Sequence, residues 1–296
     1  MKSMKTELRI LLVASMMAPW IATAAESADK IMEKVDYAVR KSYDTQLADV
    51  KITTCKYTKA DGNVRCSEKP RVVVAENAKK KELVNGLYNY RQMSIVREPI
   101  SDKGTALLVY EYGADGKDND NWLYLPALGK VNRIIANEDE GGSLFGSEFS
   151  VETTENPEAR KVHEYTYKLL EEASYEGRPA WVIEILPTAE KARKTSYDKV
   201  VTWIDKRTYL PVKEDMYRNG KVHKQRTQTN IQEIDGIFMT MRSVMNNLST
   251  SRVSQMDKIL MRHNTGIPDE YLTHRALTDF TFRERNLAKF RSELNK

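Results

Sequence analysis

The sequence predicts a mainly β fold of the α+β class, in which one large antiparallel sheet curls or closes and a helix lies at each end. Three observations predict it. Short runs rich in Val, Ile, Tyr, Trp and Thr follow one another along most of the 296 residues. Turn-forming dipeptides, most of them ending in Gly, separate these runs. The long helical crossovers that parallel strands require are missing from the pattern.

Residues 1–24 are predicted to be a secretory signal peptide. Three basic residues precede a short apolar run at residues 10–18, and small residues lead up to Ala24. The run is too short to cross roughly 30 Å of hydrocarbon and Pro19 interrupts it, which argues against a membrane anchor. We therefore expect export across the inner membrane, with cleavage near Ala24.

The chain that remains after cleavage is nearly neutral. Residues 1–24 hold three basic residues and one acidic residue, so 44 of the 47 basic and 41 of the 42 acidic residues remain, a balance of +3. This balance gives no reason to expect nucleic-acid binding and only a weak reason to expect binding to a membrane surface.

The first element of the exported chain is a predicted amphipathic helix at residues 27–41. Ile31, Val35 and Ala38 fall on one stripe, and Ser27 or Asp29 can cap its start.

The two cysteines, Cys55 and Cys66, flank an Asp-Gly dipeptide that predicts a hairpin turn. A two-residue turn places Cys66 opposite Tyr57, whereas a four-residue loop at residues 59–62 places it opposite Cys55. We expect a disulfide in the second register, because the bond requires Cβ atoms within roughly 4.5 Å. The spacing of ten residues matches neither a usual metal-binding pair nor a redox pair.

The strands that follow are predicted to enclose a hollow. A sheet of this many strands must curl or close to protect its edges, and either the N-terminal helix or a ligand fills its concave face. Three methionines share one face of a strand and suit a lining for flexible acyl chains, although packed core is the alternative for each. The predicted lining consists of Met239, Met241 and Met245, with Trp122, Tyr124, Trp181, Ile183 and Trp203 from three further strands.

A long connection at residues 136–160 interrupts the series of strands and is predicted to include a lid. Glycines flank an apolar centre that consists of Leu144, Phe145 and Phe149. Apolar side chains on a hinged loop suit a cover over an apolar cavity. The alternative is an ordinary loop packed against the sheet.

The chain ends in a predicted amphipathic helix at residues 278–296, which uses Leu287, Phe290 and Leu294. Residues 25–277 contain no linker and are predicted to form a single domain.

The sequence contains no pattern typical of catalysis, of a metal site or of a cofactor site. The four histidines are scattered, and the nucleophile elbow, the P-loop and the dinucleotide-binding fingerprint are all missing. We therefore expect a binding protein rather than an enzyme.

Three stretches together resemble the LolA-like outer membrane lipoprotein-sorting protein family. The most specific pairing is NWLYLPALGKVNRI at residues 121–134 with GSLFGSEFS at residues 142–150, and IPDEYLTHRAL at residues 267–277 also matches. The resemblance extends from about residue 30 to Leu277. It implies an incomplete antiparallel β-barrel whose concave face is plugged or covered by helices and whose cavity binds acyl chains.

The resemblance also implies a function. It indicates a monomeric periplasmic carrier that binds lipid acyl chains or lipoprotein and transfers them towards the outer membrane, with an inner-membrane exporter of the RND type as its partner. The alternative is a sensor module like the lipid-binding domain of RseB, which regulates a membrane partner. A lipid-modifying enzyme is a third possibility, and it would require a polar constellation within the cavity.

Overall fold

The computed structural model describes residues 26–60, 63–114, 116–134, 142–150 and 161–296. The predicted signal peptide at residues 1–24 lies outside these residues. No helix in the described part of the chain is both long and apolar enough to cross a membrane.

Fourteen β-strands make up most of the described chain, as the turn and strand patterns predicted. They are β1 (Thr45–Ala60), β2 (Asn63–Cys66), β3 (Arg71–Val84), β4 (Leu87–Glu98), β5 (Ala106–Glu111), β6 (Asp120–Leu125), β7 (Lys130–Ile134), β8 (Tyr165–Tyr175), β9 (Arg178–Pro187), β10 (Lys199–Asp205), β11 (Pro211–Arg218), β12 (Lys221–Ile234), β13 (Ile237–Asn247) and β14 (Arg252–His263).

The strands form one antiparallel sheet that is not closed into a barrel. Its order is β7-β6-β5-β4-β3-β1-β14-β13-β12-β11-β10-β9-β8. Strand β2 stands outside this order and pairs with β1. Within this order most neighbours are consecutive in sequence, as in a meander. The exceptions are the pairing of β1 with β3 and the pairing of β1 with β14, and the second of these joins the first half of the chain to the second half. The mainly β, open architecture is therefore as predicted.

Three α-helices in the described part of the chain accompany the sheet. They are α1 (Ala28–Asp36), α2 (His274–Thr278) and α3 (Phe280–Leu294). A π-helical turn, Tyr37–Lys41, extends α1. The Ser27 hydroxyl accepts a hydrogen bond from the Lys30 amide at 3.4 Å, which caps the predicted N-terminal helix.

The helices cover opposite faces of the sheet, as β5 demonstrates. Leu107 and Val109 of β5 belong to the apolar cluster around α1, whereas Ala106 and Leu108 belong to the cluster beneath α2 and α3. Consecutive strand residues point to opposite faces. We call the face covered by α1 the inner face and the face covered by α2 and α3 the outer face.

The C-terminal helix α3 is anchored on the outer face by the three residues that its sequence pattern indicated. Leu287, Phe290 and Leu294 are buried, and the ring of Phe290 meets that of Tyr271 edge-on at 4.8 Å between centroids. The Asp279 carboxylate accepts a hydrogen bond from the Phe282 amide at 2.9 Å and so caps the start of α3.

The predicted disulfide is present, but the predicted register of its hairpin is wrong. Tyr57, not Cys55, pairs with Cys66 across β1 and β2. Cys55 and Tyr57 point to the same face of β1, so Cys66 reaches Cys55 diagonally, with 5.7 Å between the two Cα atoms. That separation lies within the usual range for a disulfide, and direct opposition is therefore not required.

Candidate ligand cavity on the inner face

A cavity of about 140 Å³ lies on the inner face, between the sheet and residues 142–150. Strands β1, β3, β4, β12, β13 and β14 contribute to its walls, and Val39, Arg40 and Tyr43 border it near the end of the N-terminal helical segment. Strands from both halves of the chain line it, because the pairing of β1 with β14 brings those halves together.

One part of the cavity wall is apolar and deformable. Methionines of β13 and β14 supply much of it, and long unbranched thioether side chains adapt to irregular shapes. The apolar wall consists of Ala48, Val50, Ile52, Met239, Met256 and Met261.

The other part of the wall is polar, which distinguishes this cavity from a plain hydrophobic core. Amide side chains and basic side chains project from β1, β3, β4, β12 and β14 and from the end of the N-terminal helical segment. This polar wall includes Arg40, Gln46, Asn77, Lys79, Gln92, Arg226, Gln228 and Lys258.

Two of the basic groups are neutralised by buried carboxylates. Arg226 forms an ion pair with Glu214, and Arg40 forms one with Glu111 and a second with Asp36, at 3.2 Å from Nε to Oδ1. All five residues are less than 9% exposed. A charge removed from water is tolerated only when it is paired, so these ion pairs allow basic groups to border the cavity.

Residues 142–150, which we call the plug segment, close one side of the cavity. Leu144, Phe145 and Phe149 point into it. The segment folds back on itself, with a hydrogen bond from the Leu144 amide to the Phe149 carbonyl at 2.7 Å. Gly146 has φ of 76°, a left-handed conformation that suits glycine, and a Cβ there would lie 3.1 Å from Nη1 of Arg71.

Glu148 fastens the plug segment to β12, β13 and β14 through four contacts. Its amide donates to the Ser254 hydroxyl at 2.8 Å, and its carbonyl accepts from Lys224 Nζ at 2.7 Å. Its carboxylate accepts from Arg252 Nε and from Asn247 Nδ2, both at 2.8 Å. Burial lowers the pKa of Lys224 to about 8. The apolar side chains of the segment are thus held in place by polar contacts at its far side.

Four of the predicted site residues border the cavity: Leu144, Phe145, Phe149 and Met239. Met241 is buried in one cluster with Met239, and Met245 is buried in the cluster around α1.

Trp181 and Ile183 belong to the apolar cluster that includes residues of α1, and neither of them borders the cavity. This matches the alternative in which that helix fills the hollow.

The structure places Trp122 and Tyr124 away from this cavity, on the outer face. Trp122 meets the rings of Tyr110 and His274, with centroid distances of 5.0 and 4.5 Å, and both predicted residues pack in the cluster beneath α2 and α3. All four residues of the apolar run at residues 122–125 are half-buried, so the run itself does not reveal which face is the inner one.

Trp203 also lies away from the cavity. Its neighbour Ile204 points to the inner face, so Trp203 points to the outer face, where Lys213 Nζ lies 3.9 Å from its ring centroid.

The sequence analysis did not predict the polar wall. Arg226 and Gln228 of this wall alternate along β12 with Lys224, which contacts the plug segment, and all three are buried. An alternating series of buried polar residues is indistinguishable in sequence from an exposed strand face, so this signal could not have been read without the tertiary structure.

Among residues 26–60, 63–114, 116–134, 142–150 and 161–296, no group of three or more His, Cys, Asp or Glu side chains could hold a metal ion.

Three crystal structures share this architecture. A DUF1329 family protein from Desulfovibrio piger is 23% identical, with the match covering 84% of this chain and 97% of that one at a TM-score of 0.74. A domain from Vibrio parahaemolyticus, described as an outer membrane lipoprotein-sorting protein, is 22% identical over 85% and 98% of the two chains at 0.71. A LolA superfamily protein from Nitrosomonas europaea is 21% identical over 84% and 98% at 0.61.

An open antiparallel sheet with helices on both faces therefore defines a LolA-like fold. A family model described as an uncharacterized protein matches residues 89–279, which is more than half of the chain. The chain belongs to the family that this model describes, and its fold is LolA-like. No protein of curated function matches it in sequence.

Proposed function

We propose that this chain is a carrier that holds acyl chains of a lipid or lipoprotein on the inner face of its sheet. The observation that supports the proposal most strongly is the plug segment, whose Leu144, Phe145 and Phe149 complete a methionine-rich apolar wall. Similarity in fold to the lipoprotein-sorting domain from Vibrio parahaemolyticus also supports it.

The size of the cavity determines how loading must proceed. At about 140 Å³ it is smaller than the roughly 300–1,000 Å³ of usual ligand pockets. An acyl chain therefore has to take the place of the plug side chains. The exchange replaces one buried apolar surface by another, and each additional methylene of the ligand that leaves water contributes about 0.8 kcal/mol.

The polar wall supports a lipid with a polar linkage over a plain hydrocarbon. Amide side chains donate and accept hydrogen bonds, and Gln46, Asn77 and Gln92 border the cavity. Ester or amide groups next to an acyl chain would be their partners.

We further propose that the chain acts in the periplasm as a monomer and passes its cargo towards the outer membrane, with an RND-type inner-membrane exporter as its partner. Binding and transfer require no catalytic group, and we propose that it is not an enzyme. Capture of the exporter by cross-linking in the intact cell envelope tests the partner separately from the lipid.

Filling the cavity tests the proposal directly. Ser243 borders the cavity, and its buried hydroxyl has no hydrogen-bond partner among the described residues. Ser243→Phe should therefore occupy the ligand space without the loss of a hydrogen bond. We expect at least an about tenfold loss of affinity for a fluorescent fatty-acid probe, measured by titration of the purified mature protein.

Gln255→Phe is the matched control, because Gln255 precedes the cavity residue Met256 on β14 and points to the opposite face. It should bind the probe as the wild type does. Equal affinity in all three proteins, or no saturable binding to the wild type, contradicts the proposal.

Loosening the plug segment should increase the rate at which the cavity is loaded. Glu148→Ala removes the carboxylate contacts to Arg252 and Asn247. Charge-assisted hydrogen bonds contribute about 1.5–3 kcal/mol each, so we expect the probe to load at least about tenfold faster in stopped-flow mixing.

Glu171→Ala, an exposed change on the edge strand β8, is the control and should leave the loading rate unchanged. An unchanged rate in Glu148→Ala would mean that the plug segment does not limit entry.

A further inference from the structure

A second and larger cavity, which we call the outer cleft, lies on the opposite face of the sheet from the proposed lipid site. Its volume is about 380 Å³, within the usual range of small-molecule pockets. Helix α3, the β4–β5 connection and the end of β6 enclose it. Its walls include Ile100, Lys103, Gly104, Tyr124, Phe280 and Arg283.

The acidic groups of the outer cleft are already paired. Arg291 Nη2 contacts Glu76 Oε2 at 2.7 Å, and Arg291 Nη1 contacts Glu284 Oε2 at 3.4 Å. Arg97 lies 3.7 Å from Glu76 and 3.2 Å from Asp49. Two arginines and the acids around them thus form one network at this wall.

Two basic groups of the cleft have no acidic partner. Among the described residues, no carboxylate lies within ion-pair distance of Arg283 or Lys103. Arg283 is only 4% exposed, and in the described chain its Nε has no hydrogen-bond partner. Its Nη1 donates to the Leu277 carbonyl at 3.1 Å. A buried cation without a counter-charge is costly, so a negative ligand would be favoured here.

Gly104 allows the chain to approach this guanidinium closely. It has φ of 86°, and a Cβ at this position would lie 3.3 Å from Nη2 of Arg283 and 3.3 Å from Cγ of Pro126. A side chain at residue 104 would therefore crowd the cationic wall of the cleft.

The entrance of the cleft is apolar. Ile100 is 89% exposed and Phe280 is 58% exposed, although both are large hydrophobic residues. An exposed apolar rim around a cationic interior matches a ligand that has the reverse arrangement, with an anion at one end and hydrocarbon at the other.

We propose that the outer cleft binds a small amphiphilic anion, a carboxylate or phosphate joined to an apolar group. Arg283 pairs with the anion, Lys103 lies beside it, and Ile100 and Phe280 contact the apolar group. The site is separate from the lipid cavity, because the two lie on opposite faces of the sheet.

NMR titration of the mature protein with hexanoate, hexyl phosphate and neutral hexanol tests the proposal. We expect the amide shifts of residues 103–104 and 280–284 to change with both anions, and hexanol to bind at least about tenfold more weakly. Tighter binding of hexyl phosphate would indicate a phosphate ester as the natural ligand, and tighter binding of hexanoate would indicate a fatty acid. Equal binding of hexanol, or shifts confined to the inner face, would overturn the proposal.

Substitutions test which basic side chain of the cleft binds the anion. Arg283→Met should weaken hexyl phosphate binding at least about tenfold, whereas Lys289→Gln, an exposed change on the same helix, should not. If Arg283→Met does not fold, the exposed pair Lys103→Gln and Phe280→Ser gives the same test, with a weaker affinity expected. Ser243→Phe should bind the anion normally, which separates this site from the inner cavity. Unchanged binding in the cleft variants would refute the site.

Discussion

Replacing Arg226 by methionine is expected to lower the free energy of unfolding by about 3–5 kcal/mol. The guanidinium of Arg226 forms an ion pair with Glu214, and these residues are 4% and 1% exposed. Without the arginine, the Glu214 carboxylate remains buried with no cation to offset its desolvation. Urea unfolding at neutral pH, followed by circular dichroism, measures the change.

Two comparisons isolate the cause of this loss. The double change Glu214→Leu with Arg226→Met should restore most of the stability, because no unpaired charge remains. Arg242→Met on β13 removes an exposed ion pair with Asp257, at 2.6 Å, and should cost less than about 1 kcal/mol. If Arg226→Met is no more destabilising than Arg242→Met, the buried pair is not important for stability.

Replacing Arg40 by methionine is expected to have an effect of similar size, about 3–5 kcal/mol, for a related reason. Arg40 contacts Glu111 of β5 and Asp36 of α1, and its guanidinium lies 4.4 Å from the ring centroid of Tyr90. Its removal leaves the buried Glu111 carboxylate without its cation, while Asp36 keeps only its contact with Lys41. The change should also loosen the N-terminal helix, because Arg40 links that helical segment to the sheet.

Lys41→Met is the matched control for Arg40. Lys41 also contacts Asp36, at 2.6 Å, but its side chain is 34% exposed, so its ion pair is partly screened by water. We expect a loss below about 1 kcal/mol in the same urea experiment. Hydrogen exchange of α1 provides a second measurement, and faster exchange in Arg40→Met alone is expected. Equal stability of the two variants would contradict the proposed role of Arg40.

Both predictions concern charges that border the inner cavity, and they connect stability with function. The ion pairs allow basic side chains to remain on a face that is otherwise covered by α1 and the plug segment. Under the proposed function the inner face admits a ligand, which is incompatible with filling it entirely with close-packed apolar side chains. The paired charges of the polar wall therefore keep the sheet stable although the cavity beside them is not fully packed.

Much of the fold could be predicted from the sequence because its signals are local. Turn dipeptides and β-branched or aromatic runs predicted strands β5, β6 and β9 to β13, and apolar spacing predicted the helices around Val35 and Phe290. The apolar centre of the plug segment could also be recognised, since Leu144, Phe145 and Phe149 stand out in a polar loop.

The hairpin at Cys55 and Cys66 illustrates where local reasoning fails. The spacing allowed two registers, and we preferred the one that sets the cysteines directly opposite. The structure has the other register, in which the two cysteines lie diagonally on one strand face. This diagonal pair is also close enough for the bond. Sequence spacing limits the register of a hairpin but does not select it.

What the sequence by itself determined was the type of structure and the side-chain alternation of each strand. What only the tertiary structure decided was which of the two faces is the inner one, and hence that Met239 borders the cavity while Trp122 and Trp203 do not. The physical reason is that alternation separates two faces without distinguishing them. The covering of each face depends on where α1 and α3 pack and on the pairing of β1 with β14, which are contacts between residues far apart in the chain.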